Sequence, residues 1–204
     1  MRILTNKKIL ITILLFVVAL ITLGLYAGRH YYIKTYGIEL IPSKYFQIAT
    51  IEYYLQHDSR WRNDTIGMSN STMRSAGCLI ACVASSLRNL NIQITPGLLN
   101  SKLTEVKAYA NDLLIWHKLN KIFPTIDYKY SRVFTSNTID KDLAAGLLPI
   151  VNVKYKGNGV THWVIIVGAE NGEYMIYDPF NTELKPIPLS VHGKVYAYRV
   201  LISK

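Results

Sequence analysis

The strongest constraint on this chain is an uncharged apolar segment of 19 residues, Ile9 to Ala27, close to the N-terminus. A helix of this length spans the hydrocarbon core of a bilayer, which is about 30 Å thick. Basic residues at Arg2, Lys7 and Lys8 precede the segment. The pattern predicts one transmembrane helix, and the rest of the chain is long enough for one domain of ordinary size.

A cleaved signal peptide is the alternative interpretation, because it also has a basic head and an apolar middle. Signal-peptide cores are shorter, at roughly 7 to 15 residues, and they end in a site of small residues. Leu25-Tyr26-Ala27 offers a bulky residue three positions before the cut. Cleavage after Gly24, with Thr22 upstream, stays open, and an uncleaved anchor is the favoured interpretation.

Positive charge predicts the orientation of the span. Basic residues are denser in residues 1–8, a very short tail, than in the residues that follow the apolar segment. This difference favours a cytoplasmic N-terminus. Segment 9–27 is then a signal anchor like those of bacteria, 28–44 a juxtamembrane spacer, and 45–204 a domain outside the cytoplasm. If the segment is cleaved, the domain is secreted.

The formal net charge of +10 is spread along the chain rather than gathered in one block. This distribution suits a domain that works beside anionic lipids or cell-wall polymers. A nucleic-acid partner is not expected, because no groove-reading motif is present.

The stretch from Ser75 to Leu87 predicts a buried central helix that begins at a cysteine. Gly77 permits a tight turn, Cys78 follows at once, and the next two turns are small or apolar. A helix N-terminus favours the thiolate, which is the nucleophilic form. Cysteine on a buried helix is more often inert packing, so residues elsewhere in the chain must decide whether this one is catalytic.

The second and last cysteine, Cys82, lies one turn deeper on the same predicted helix. Two thiols stacked on one helix are poorly aimed for a disulfide, so at least one is expected to be free. Cys82 most simply belongs to the core. No cofactor or metal is expected, since no His or Cys cluster supplies further ligands.

Helical patterns come first along the domain and strand patterns follow. Helices are predicted over 78–91, 111–123 and 138–146, and a further helix is predicted to begin at 95–96. Residues 45–55 fit a helix or an extended piece equally well. Predicted strands cover 126–133, 148–155, 160–169, 173–177 and 195–202. This order predicts an α+β domain with N-terminal helices and a C-terminal antiparallel sheet.

Two polar residues stand at the ends of adjacent predicted strands. His162 is near the start of an otherwise apolar strand, where it could act as a general base, although a lone histidine is more often structural. Asp178 ends the next strand, so it could lie beside His162 and fix its tautomer. The alternative for Asp178-Pro179 is a simple turn.

In their order and spacing, Gln56, Cys78, His162 and Asp178 resemble the papain-like cysteine peptidases. The closest resemblance is to the peptidase C thirty-nine-like (C39-like) family, which is related to the bacteriocin double-glycine leader peptidases. The matching motifs are Gln-x-Asp-x-x-Trp at 56–61, Gly77-Cys78 with Ala84 and Leu87, Leu143-Ala144-Ala145-Gly146 with Pro149-Ile150-Val151, His162-Trp163-Val164 with Val167-Gly168, and Tyr177-Asp178-Pro179. The resemblance covers residues 45–204 and implies a papain-like fold.

The resemblance also implies a role for each residue. Cys78 would be the nucleophile, His162 its base and Asp178 the group that orients His162, with Asn181 as a second candidate for that last role. Gln56 and the Cys78 backbone N–H would stabilise an oxyanion. The substrate would be a peptide or related amide, cleaved through an acyl-enzyme.

Two other functions stay open. An acyltransferase or wall-peptide amidase would use the same residues with a different acyl acceptor. A non-catalytic anchored module would keep the cleft for peptide recognition, and the reactivity of Cys78 separates it from the enzymes.

Overall fold

The computed structural model describes residues 2–204, with side chains described for 7–204. Its first element is a single long helix, α1 (Arg2–Tyr36). The part Lys7–Tyr36 is long and apolar enough to cross a membrane, and its most apolar stretch has a mean hydropathy of 2.8. Its apolar side chains up to Tyr26 are exposed, so they make no core contacts with the domain.

Within residues 2–204 the structure has six α-helices and eight β-strands. After α1 the helices are α2 (Met73–Ala76), α3 (Cys78–Asn89), α4 (Pro96–Glu105), α5 (Leu119–Ile122) and α6 (Ser136–Ala144). The strands are β1 (Tyr109–Ala110), β2 (Leu113–Leu114), β3 (Ile126–Tyr130), β4 (Ile150–Lys154), β5 (Thr161–Glu170), β6 (Glu173–Tyr177), β7 (Ile187–Pro188) and β8 (Val195–Ser203).

Helix ends follow the capping residues of the sequence. The Thr95 side chain accepts a hydrogen bond from the Leu98 N–H, and Pro96 occupies the first turn of α4. Gly146, with φ of +71°, follows the end of α6 in the left-handed conformation that glycine adopts without strain. The predicted starts or ends of α3, α4 and α6 are confirmed within two residues.

Six strands form one antiparallel sheet in the order β3-β8-β4-β5-β6-β7. Alternate residues of β5 enter two different cores. Ile165 and Val167 pack in the core that contains α3 and α4, whereas Val164 and Ile166 pack in the core on the other face. The predicted α+β class, with helices before an antiparallel sheet, is confirmed.

Helix α1 is joined to the domain by its last turns. Ile33 is buried in the second core, and Ile38 pairs with Val195 at the start of β8. Residues 28–36 of the segment predicted as a spacer are therefore helical. The rest of that segment is not helical and contacts the sheet through Ile38. The last turns of α1 thus have a defined position against β8.

The chain next runs beside the end of β5 as an extended segment rather than a helix. Phe46 pairs with Ala169, and a side chain on Gly168 would overlap the carbonyl oxygens of Phe46 and Gln47. Glycine at 168 permits this close backbone approach. Residues 45–55 are therefore extended, which is one of the two forms that their sequence allowed.

The helix predicted over 111–123 is wrong. Residues 109–114 form a small β1–β2 hairpin, Trp116–Lys118 form a 3-10 turn, and only Leu119–Ile122 are α-helical. Asn111 takes a left-handed conformation with φ of +58°, which an α-helix cannot contain. The apolar residues of this segment are spaced almost as in a helix, but most of them pack in the first core without forming one.

Candidate active site

Cys78 is the first residue of α3, directly after the turn that separates α2 from α3. A side chain on Gly77 would overlap the Met73 carbonyl oxygen, so only glycine permits this junction. The thiol therefore stands at the N-terminus of a twelve-residue buried helix. Backbone amides in the first turn of a helix lack intrahelical acceptors and favour negative charge nearby.

His162 and Asp178 meet because β5 and β6 are adjacent antiparallel strands. His162 is the second residue of β5, Asp178 follows the last residue of β6, and both are buried. His162 Nε2 lies 2.6 Å from Asp178 Oδ1. His162 and Cys78 line the same cleft, and because Nε2 is bonded to Asp178, Nδ1 is the ring nitrogen left for sulfur.

Hydrogen bonds control the charges of this pair. Burial alone would raise the pKa of Asp178, but bonds from two histidines and from the Phe180 N–H, at 2.7 Å, hold it well below its usual range. Burial alone would lower the pKa of His162, but its hydrogen bond with Asp178 and the neighbouring Cys78 thiol raise that pKa to about 9. An ionised carboxylate beside an imidazolium is the resulting state at neutral pH.

The second of those histidines is His192, which the sequence analysis left without a role. It lies after a 3-10 turn that precedes β8, is 1% exposed, and has its Nε2 3.1 Å from Asp178 Oδ2. Its Nδ1 accepts a hydrogen bond of 3.0 Å from the Lys156 N–H. Because that nitrogen accepts, the neutral ring carries its proton on Nε2 and donates it to Asp178.

His162, Asp178 and His192 have ligand atoms within 4.8 Å of one another, a spacing that could hold a metal ion. The hydrogen bonds between them already account for this proximity. A metal ion would have to displace both of these hydrogen bonds. The donor set therefore fits a hydrogen-bonded His-Asp-His group better than a metal centre.

Gln56 lines the same cleft as Cys78 and His162. Its backbone N–H donates to the Pro179 carbonyl, and its side-chain Nε2 donates to the Arg74 carbonyl at 2.8 Å. An amide nitrogen carries two hydrogens, so one remains for a ligand. These two bonds fix Gln56 beside both the Asp178 turn and the start of α3.

The two cysteines occupy different environments. Cys82 is completely buried, and its thiol contacts the Trp163 carbonyl oxygen at 3.5 Å. Burial, with a smaller effect of the neighbouring Cys78 and Asp178, raises the pKa of Cys82 well above its usual range. Cys78 instead borders the open cleft, so of the two thiols it is the one that a ligand in the cleft can reach.

Other polar residues near the site do not join the group. The Asn181 side chain accepts from the Thr182 N–H, and Asp178 occupies the position beside His162 that Asn181 was the second candidate to fill. His57 faces the Phe180 ring rather than the thiol.

The cleft beside the thiol has a volume of about 410 Å³. Its wall is mainly apolar, with Leu113, Val160 and Phe180 exposed along it, and Asp112 is the acidic residue on its rim. The β1–β2 hairpin supplies both Asp112 and Leu113. An elongated substrate with apolar side chains fits such a wall.

Comparison with known proteins supports the fold. The structure is similar to the crystal structure of a Bacillus anthracis protein assigned as a C39-like peptidase, with a TM-score of 0.55 and 10% sequence identity. The match covers 79% of this chain and 99% of that chain. No protein-family model and no curated protein sequence matches the chain. The expected C39-like peptidase fold is confirmed, and the roles of individual residues rest on the geometry above.

Proposed function

We propose that this protein is a membrane-anchored thiol hydrolase that cleaves a peptide or amide bond through an acyl-enzyme on Cys78. One observation supports this most directly. A cysteine at the N-terminus of a buried helix and a histidine line the same open cleft, and that histidine is held by an ionised aspartate at 2.6 Å. The C39-like peptidase fold agrees with this function.

The arrangement supplies each step of acyl transfer. The Cys78 thiolate attacks the substrate carbonyl carbon, and the imidazolium of His162 then donates its proton to the leaving amine as the C–N bond breaks. His162, now neutral, takes a proton from water as the water attacks the thioester; the C–S bond breaks, the acid product leaves, and the Cys78 thiolate and His162 imidazolium are restored. Asp178 stays ionised throughout and holds the ring so that Nδ1 faces sulfur.

The oxyanion of the tetrahedral intermediate would be stabilised by the Cys78 backbone N–H and the free N–H of Gln56. The bond from Gln56 to the Arg74 carbonyl orients the amide before substrate arrives. A donor held in place in this way needs no reorganisation during the reaction.

The domain would work outside the cytoplasm, with α1 as its anchor. The exposed apolar surface of α1 and the basic residues before it support this placement. A reporter fused after Lys204 that functions only outside the cytoplasm should be active, and the chain should stay in membranes after a high-salt wash. Release of a shortened soluble chain would show cleavage of a signal peptide instead.

The test of activity is digestion of a peptide library by the full chain in neutral detergent, with products identified by mass spectrometry. Wild type and Cys82→Ser should yield the same products, and Cys78→Ala should yield none. Cleavage that persists in Cys78→Ala would overturn the proposal. Peptides that bind without cleavage would identify a binding module, and products joined to an added amine would identify an acyltransferase.

A further inference from the structure

A second cleft, distinct from the one that holds Cys78, lies where α1 meets the domain. It has a volume of about 440 Å³. Four basic side chains line it, His30 and Lys34 from α1 and Arg132 and Arg199 from the domain. None of its lining residues, all within the described part of the chain, is Asp or Glu.

Arg199 is the innermost cation of this basic cleft. Its guanidinium carbon lies 5.0 Å from the centroid of the Tyr130 ring and 5.7 Å from that of Trp116. Nη1 donates to the Tyr198 carbonyl at 2.7 Å, while Nε is buried without a hydrogen-bond partner.

None of the ion pairs among the described side chains includes any of the four basic residues of the cleft. A half-buried guanidinium without a carboxylate is costly, and an anionic ligand would offset that cost. Arginine also presents several donors in a fixed fork, which matches phosphate oxygens.

The height of the basic cleft above the apolar segment is defined by α1. The His30 ring contacts the Arg132 carbonyl oxygen at 3.3 Å, and Ile33 is buried in the domain. At about 1.5 Å per residue, His30 lies roughly 4.5 Å and Lys34 roughly 10 Å beyond Ala27 along the helix. The headgroup layer of a leaflet begins at this level and is about 5 to 7 Å deep.

We propose that the basic cleft binds the phosphate group of an anionic phospholipid from the leaflet on which the domain rests. This rests on the proposed anchoring by α1. Lys34 and Arg132 are exposed and meet the phosphate first, and Arg199 supplies the inner contact between its two aromatic rings. Tyr and Trp side chains, which favour the membrane interface, form the wall.

The test is native mass spectrometry of the full chain in neutral detergent with added dioleoyl phosphatidylglycerol or dioleoyl phosphatidylcholine. Wild type should retain one phosphatidylglycerol in preference to phosphatidylcholine. Lys34→Gln with Arg132→Gln should weaken that binding about 30-fold, or about fivefold for each cation removed. Both residues are exposed, so the double variant should fold.

Lys102→Gln is the matched control, because Lys102 is exposed on α4, away from the cleft. It should bind lipid as wild type does. Equal retention of the two lipids, an unchanged double variant, or an equal loss in Lys102→Gln would each overturn the site. Displacement of the lipid by low concentrations of glycerol 3-phosphate would identify a soluble phosphate as the ligand and would overturn the lipid assignment.

The outcome is separable from that of the proposed function. Cleavage of a soluble peptide by the double variant should match wild type, since neither residue lines the Cys78 cleft. Loss of lipid selectivity with retained cleavage reports on the basic cleft alone. A chain that a high-salt wash releases from membranes would instead refute the anchoring on which the site depends.

Discussion

Asp178 accepts hydrogen bonds from two buried histidines. Both present the same ring nitrogen to the carboxylate, and they differ in the partner of the other ring nitrogen. His162 and His192 both present Nε2 to this carboxylate, at 2.6 and 3.1 Å. The second nitrogen of His162 is the one left for the Cys78 thiol on the same cleft, whereas that of His192 accepts from the backbone N–H of Lys156.

The partner of that second nitrogen decides what each ring can do. A backbone N–H can only donate, so the second nitrogen of His192 is occupied as an acceptor. A thiol can release its proton, so His162 can hold it and pass it on. Under the proposed function, the contrast predicts proton transfer by His162 and positioning of Asp178 by His192.

The largest expected effect is that of His162→Ala on turnover. Without the base, both the thiolate and the proton for the leaving amine are lost, so kcat/KM should fall by about 10⁴. The measurement is hydrolysis of a peptide found in the library digest. Full activity in this variant would refute the whole assignment.

Asp178→Ala should have a smaller effect, because it loosens the imidazole without removing it. We expect a loss of about 10², the low end of what a positioned base contributes. In wild type the imidazolium persists below a pKa of about 9, so activity should fall as pH rises through that value. Removing the carboxylate removes a bond that raises this pKa, so the upper limb of the pH profile should move to lower pH.

The shift of the upper limb to lower pH is the result that tests the role of Asp178. A variant that was merely unstable would lose activity at every pH with the upper limb in place. An unmoved limb would show that Asp178 does not set the protonation of His162.

His192→Ala should reduce turnover least, by about tenfold or less, and should leave the upper limb near that of wild type. The bond between His162 and Asp178 remains, but a carboxylate oxygen and the Lys156 N–H lose a partner. Each buried group left unpaired costs about 1–3 kcal/mol, so the thermal midpoint should fall. Activity assays and thermal unfolding of the same preparation measure both effects.

His192→Gln is the matched variant, because an amide can accept from Lys156 and donate to Asp178. It should recover much of the stability and activity that His192→Ala loses. If His192→Ala costs as much turnover as His162→Ala in a folded protein, the two histidines are equivalent and the distinction between them is refuted.

Four features of this protein could be predicted from local sequence. The apolar segment near the N-terminus, Gly77-Cys78 before a run of small residues, and His162 and Asp178 at strand ends each follow from neighbouring residues alone. The order of helices before strands predicted the α+β class for the same reason, since hydrophobic period and capping residues act over one or two turns. The role predicted for Gln56 follows from the resemblance to a family rather than from a local sequence pattern.

Tertiary structure decided the features that depend on contacts between distant segments. His192 lies 14 residues from Asp178 in the chain, in a turn whose local sequence is ordinary, and only the packing of that turn against β6 brings its ring to the carboxylate. Pairing of Tyr109 and Ala110 with Leu114 and Leu113 likewise gives a hairpin where the spacing of apolar residues predicted a helix. Periodicity records which residues are buried, whereas the partner of a buried polar group is chosen by the fold, because hydrogen bonds require specific atoms at close range.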